Sequence, residues 1–260
     1  MRNELIKPII RVGNSAGVLL PKEWLSGTAR VELIKEPINI ENDVLEILKS
    51  HLKDIIGLYL AGSYARGEEK NRSDVDILAV TNKTEGKIKQ KRYNIILINK
   101  DSLKESMENN ALPILPMLME SRAIINQDLI KEYTSKGLTK KNITPYIETT
   151  ISALSVIKSV IDIDKESGMK SSDGTAYSLV LRLRSVYIVD CIMKNKKWSN
   201  KELVRLTKEI SGSNTAYEGY LRVKDGKKGQ NELPCAQAEA IYDYLQNGIK
   251  RQQAWLAKRK

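Results

Sequence analysis

The 260-residue chain reads as an α/β (α+β) core set between a small N-terminal β module and a C-terminal all-α helical bundle. Three observations predict this. Apolar runs of strand length at 57–61, 75–80 and 93–98 alternate with helical patterns in the first half. From about Gln127 onward the apolar residues recur at helical spacing instead, as in Leu179, Leu183, Val186, Tyr187 and Cys191. The first 36 residues are short apolar segments separated by turn residues, too few to bury a core on their own.

Taken in order, 8–12 (PIIRV) reads as a strand, 13–17 (GNSAG) as a turn cluster, and 18–20 as a second strand stopped by Pro21. Residues 22–25 make one helical turn, and 29–34 (ARVELI) alternate as a third strand. Glu36 and Pro37 mark a boundary. Asn42 or Asp43 caps a helix over 44–53, whose Val44, Leu45, Leu48 and Leu52 share a face. The strand at 57–61 runs into a Gly62-Ser63 turn and a helix, followed by the strand at 75–80. Residues 81–90 are polar and loop-like, 93–98 form a strand, and a helix opens at Ser102 and runs to about Asn109. The apolar stretch 111–125 is broken by Pro113 and Pro116 and ends in a short edge strand at 123–125. After a break at 136–139, a long helix over 144–161 starts near Pro145, whose fixed φ suits a first helical turn. A polar linker (162–174), a helix (176–194), a Ser199/Glu202 capping box opening a helix over 201–210, a turn (211–214), a basic loop (223–229) and a last helix (234–250) complete the chain. The division is therefore 1–36, 42–128 and 138–260.

The chemistry concentrates in 60–80, LAGSYARGE followed by SDVDILAV. Residues i and i+2 of a strand project from one face, so Asp74 and Asp76 form a carboxylate pair. Hard oxygen ligands of this kind suit Mg²⁺, which binds through one or two carboxylates plus substrate phosphates. The Gly62-Ser63 turn offers backbone N–H groups and a hydroxyl as a phosphate seat, with Arg66 close by as a charge clamp.

Gly-Ser, about ten residues, then Asp-x-Asp resembles the core motif of the polymerase-β-like nucleotidyltransferase superfamily, in the wording of its minimal branch, over residues 45–128. The resemblance implies that Asp74 and Asp76 are catalytic and hold Mg²⁺ (or Mn²⁺), that Gly62 and Ser63 meet the terminal phosphates, and that the substrate is an NTP, with ATP expected. Active members carry a third carboxylate on the neighbouring strand. Here Asn94 stands at that place, and Asp101 just beyond the strand is the substitute candidate. In the helical half, Arg182 and Arg184 interrupt an apolar helix. Buried arginine needs an anion, so each is read either as a phosphate ligand facing the cleft or as the partner of Asp190 or Glu148.

RVGNSAGVLLPKEWL, within 5–36, resembles the swapped-hairpin AbrB/MazE family. That resemblance implies an intertwined homodimer through 1–36 that binds DNA, with Arg11, Asn14 and Ser15 near the DNA-facing turn. The segment carries six basic and four acidic side chains, sparse for a strong DNA binder.

The net charge of +11 is unevenly placed: 19 basic and 18 acidic residues in 1–130, but 24 and 14 in 131–260. A basic helical half points to nucleic acid or an acidic partner protein. Two isolated cysteines and one histidine, His51, exclude zinc-ligand spacing, a disulfide framework and histidine-based acid–base chemistry. No signal peptide and no apolar run near 18 residues are found, so the chain is read as cytoplasmic, with no membrane partner. Two functions are expected to compete. One is an enzyme moving a nucleoside monophosphate from an NTP to a hydroxyl of RNA, DNA, protein or a small molecule. The other is a DNA-binding, antitoxin-like or transcriptional regulator with a degenerate transferase domain; both resembled families include toxin–antitoxin members.

Overall fold

The computed structural model describes residues 4–34, 38–71 and 73–258. The boundary expected at Glu36 and Pro37 lies outside the described residues. The chain separates into two compact units, Met1–Ile38 and Asn39–Lys260.

The first unit holds a hairpin of β1 (Ile10–Val12) and β2 (Ser15–Gly17), with Val12 opposite Ser15. The two-residue connection has Gly13 at φ +60°, as a type II′ turn requires. The expected register was therefore wrong: 15–17 are strand rather than turn, and neither 18–20 nor 29–34 forms a strand among the described residues. A tight Gly-Asn turn closes the hairpin sooner than a five-residue turn cluster would. None of the described residues of this unit is buried, and Ile6, Leu19, Leu25, Val31 and Ile34 are largely exposed.

The second unit is a mixed α/β structure. Helix α1 (Ile40–Ile47) starts four residues earlier than expected, because the Asn39 side chain, and not Asn42 or Asp43, accepts from the Asn42 N–H and caps it. The strands β3 (Ile55–Ala61), β4 (Val75–Thr81), β5 (Gly86–Gln90), β6 (Tyr93–Asn99) and β7 (Arg122–Ile125) form one sheet in the order β5-β6-β4-β3-β7. Only β4 and β6 pair in parallel. β5 falls where a polar loop was expected. It is an edge strand whose Lys-Ile-Lys alternation leaves only Ile88 half-buried, so little apolar signal marks it.

The two sheet faces have different coverings. Val75, Ile77 and Ala79 point one way, and Tyr93 on that side donates its hydroxyl to Asp43 of α1. Tyr59, Leu78 and Val80 point the other way and share a core with Leu103 and Met107 of α3 (Lys100–Asn109) and with Leu115 and Leu118 of α4 (Leu115–Glu120). That core continues through α5 (Gln127–Thr134), α6 (Lys140–Glu166), α7 (Asp173–Met193), α8 (Asn200–Ser211), α9 (Thr215–Lys224) and α10 (Cys235–Ala257).

Helix α6 begins at Lys140, not near Pro145. A reciprocal Thr139/Asn142 capping box sets its start and leaves Pro145 inside the helix. It also absorbs the first residues of the expected linker. α9 was not anticipated, because its glycine, Gly219, interrupts the pattern; that glycine admits close packing, since a Cβ there would lie 2.7 Å from Asp173 Oδ1. No helix among the described residues is long and apolar enough to cross a membrane.

Candidate active site

The site grows from the junction of β3, α2 (Gly62–Arg66) and β4. Register places Ala61 beside Asp76, and Asp76 beside Asn94. Gly62 follows at φ +68°, and a Cβ on it would sit 2.3 Å from Asp76 Oδ2. The glycine thus answers two demands: a left-handed backbone and a turn pressed against a carboxylate. α2 has only five residues, so any anion seat rests on the Gly62 amide and the Ser63 hydroxyl more than on a helix dipole. The Ser63 hydroxyl makes no hydrogen bond among the described residues.

Asp76 is half-buried and Asp74 is exposed at the strand's mouth. Burial raises the Asp76 carboxyl above its ordinary value, and the charges of Asp74 and Glu120 push the same way. A hydrogen bond from the Asn94 side chain and the charge of Arg66 oppose the rise without cancelling it. An environment that disfavours a bare carboxylate is one a cation would relieve. The pair suits Mg²⁺, which needs one or two protein carboxylates and takes the rest from phosphates and water. Among the described residues no cluster of three His, Cys, Asp or Glu side chains is arranged for a metal.

Glu120, at the end of α4, was not anticipated, and it changes the roles of two expected residues. Its Oε1 accepts from the Gly62 N–H at 2.8 Å, so the amide assigned to phosphate already has an anionic partner. Its Oε2 accepts from Arg66 Nη1 at 2.6 Å and from Trp198 Nε1 at 2.9 Å. Arg66 also donates to Glu68 Oε2 at 2.8 Å, and Glu68 in turn accepts from the Asn200 N–H at 3.0 Å. Burial works against the Arg66 charge, but Glu68 and Glu120 outweigh it. Arg66 is therefore a structural cation between two carboxylates, not a free clamp over a triphosphate. The one signal for Glu120 in the sequence was a lone acid inside the proline-broken apolar stretch 111–125.

The helical residues divide. Arg184 lines a narrow cleft with Arg66, Tyr187, Trp198 and Asn200. Arg182 is not brought there; its charge acts on Tyr146, which donates to the buried Gln252. The expected pairing with Asp190 is not made, because Asp190 accepts from Gln252 and Arg251. Neither arginine has an ion pair among the described residues. Asp101 lies in the first turn of α3 and is not among the groups acting on Asp76. In the N-terminal unit, Asn14 occupies the hairpin turn, Ser15 pairs with Val12, and Arg11 Nε donates to the Gly13 carbonyl at 2.9 Å. A groove of about 490 Å³ lies between α6 and α10 and is lined by none of these residues.

Residues 41–131, about a third of the chain, match the nucleotidyltransferase domain family model. Among solved structures, a nucleotidyltransferase-like protein from Exiguobacterium sibiricum is 10% identical over 85% of this chain and 78% of its own, with a TM-score of 0.38. A spectinomycin adenyltransferase from Enterococcus faecialis, solved with ATP and spectinomycin, is 16% identical over 80% of this chain and 97% of its own, with a TM-score of 0.41. A toxin–antitoxin structure with AMP-PNP is 15% identical over 47% of this chain and 98% of its own, with a TM-score of 0.28. No curated protein matches the chain.

Proposed function

We propose that this protein transfers a nucleoside monophosphate from an NTP, with ATP the expected donor, to a hydroxyl acceptor, using the turn at Gly62 and the carboxylates Asp74 and Asp76. The observation that carries the reading is the approach of Gly62 to Asp76, a left-handed turn pressed against the carboxylate of the neighbouring strand. Asp74 and Asp76 are the residues that would hold Mg²⁺ or Mn²⁺. The cation would neutralise phosphate charge and polarise the α-phosphorus. Ser63 and the Gly62 amide hold the departing phosphates once Glu120 gives up the amide. Arg184, which shares a cleft with Arg66 and has no ion pair among the described residues, is the helical-side cation for the triphosphate; Arg182 is assigned no such role. Asn94 orients the Asp76 carboxylate by hydrogen bonding but brings no negative charge of its own.

The test is incubation with α-labelled NTPs, Mg²⁺ and cell extract, with Asp76→Asn as control. Label on RNA, protein or a small molecule above that control is the expected result; none sinks the proposal. Asn94→Glu supplies the missing carboxylate and is expected to raise the rate about a hundredfold, the low end of what a positioned acid–base group contributes.

A second reading is favoured by Asn94 itself: a regulator in which the transferase domain binds nucleotide without turnover, while residues 1–36 dimerise and Arg11, Asn14 and Ser15 meet DNA. It predicts nucleotide binding without label transfer, and salt-sensitive binding of the chain to its own upstream DNA.

A further inference from the structure

The sheet register supplies a row that the sequence does not display. Ala61 pairs with Asp76, Asp76 with Asn94, and Asn94 with Lys89. The next row runs Tyr59, Leu78, Ile96, Lys87. Residues opposite one another on adjacent strands share a face, so Lys87 and Lys89 of the edge strand lie on the Asp76 face. Both are exposed, and neither has an ion pair or side-chain hydrogen bond among the described residues. From Lys83 to Lys100 the chain carries six basic side chains and one acidic, Glu85, within a half that holds 19 basic and 18 acidic residues in all.

We infer that Lys87 and Lys89 form the acceptor side of the site, and that the acceptor is the 3′-hydroxyl end of a single-stranded nucleic acid. The inference rests on the transferase reading above and deepens it. In-line displacement puts the attacking and leaving oxygens on opposite sides of the phosphorus. The Gly62 turn stands at the β3 end of the row and takes the leaving pyrophosphate. The attacking hydroxyl therefore arrives over Asn94 and Lys89, at the β6–β5 end. That side offers a neutral amide and two free ammonium groups, a setting that repels a cationic acceptor and attracts phosphates. Lys87 and Lys89 stand two residues apart on a strand, about 6.6 Å, a separation suited to successive phosphates of an extended strand. Lysine also protects sheet edges from aggregation, but that use does not require the cations to share the face of Asp76. In the reaction the acceptor 3′-oxygen bonds to the NTP α-phosphorus, the bond between the α-phosphorus and the β-bridging oxygen breaks, pyrophosphate leaves with the electron pair, and the hydroxyl proton passes to water.

The test measures binding of a short 5′-fluorescein single-stranded RNA, and of its DNA counterpart, to the full chain by anisotropy across a salt series. Lys87→Gln and Lys89→Gln are each expected to weaken binding about three- to tenfold and to lower the log–log salt slope by roughly one. Arg11 stays intact throughout, so any binding by the N-terminal unit is constant. RNA preferred, DNA preferred or both bound equally supports the shared phosphodiester chemistry. Unchanged affinity in both lysine variants, or equal competition by polyglutamate, overturns it. Lysine-dependent binding without label transfer would sink the transferase reading and leave Lys87 and Lys89 as a strand-binding surface only; label transfer with lysine-independent binding would sink this inference alone.

Discussion

At the scale of single residues, Gly62 and Asp76 are bound together by space and charge. Gly62→Ala must place a methyl against the Asp76 carboxylate at a left-handed φ. The expected cost is about 1–3 kcal/mol of stability, with loss of Mg²⁺-dependent NTP binding, measured by denaturant unfolding and by calorimetry. Asp76 itself is held at a cost. Because its carboxyl is raised in the folded state, the native protein keeps a proton that the unfolded chain releases, and stability falls as pH rises through the interval between the two values. Near neutral pH and without metal, Asp76→Asn is expected to raise Tm, by about 2–4 °C if the ionised group costs on the order of 1 kcal/mol, while abolishing transfer. The gain should vanish in acid, below the ordinary carboxylate range; a Tm drop at neutral pH would refute it. The Asp-x-Asp pair and the glycine were legible because their spacing is local. Glu120 was not, because it meets Gly62 across 58 residues of chain.

Among the elements, α4 has the largest effect for its length. Six residues carry Glu120 to the turn, and the carboxylate then holds Gly62, Arg66 and Trp198 at once. Glu120→Ala leaves the partly buried Arg66 with Glu68 as its remaining partner, and a loss of about 1–3 kcal/mol is expected in chemical denaturation; no measurable change would mean that water replaces the carboxylate freely. Strands buried on both faces, β3, β4 and β6, could be read from continuous apolar runs. β5 could not, since a strand at an edge needs little apolar content, and polar alternation reads equally well as loop. The start of α6 was misplaced for a related reason: Pro145 is compatible with a first turn, but the Thr139/Asn142 box, a weaker signal in sequence, sets the boundary.

For the whole molecule, the two compact units make different demands. Residues 39–260 possess a continuous core; residues 4–34 possess none among those described. Deletion of 1–38 is expected to leave a folded monomer by light scattering and circular dichroism, whereas the full chain is expected to be a dimer. A dimeric 39–260 fragment would place the self-association elsewhere. The N-terminal hairpin turn was visible as Gly-Asn, but the number of strands was not, because nothing in a segment without a core selects among alternations. The helical half, by contrast, announced itself through spacing, and what it hid was where its joints touch the sheet. One such joint gives the molecule an optical property. Trp198 is one of three tryptophans, and its indole N–H rests on the same carboxylate that holds the Gly62 amide. Indole emission responds to nearby charge, so a ligand that draws Glu120 away from Gly62 should change the colour and intensity of Trp198 fluorescence. Occupancy of the turn could then be followed in a cuvette, with no label, by titrating nucleotide into the protein and into its Trp198→Tyr variant; equal responses from the two would show that the indole is blind to the turn.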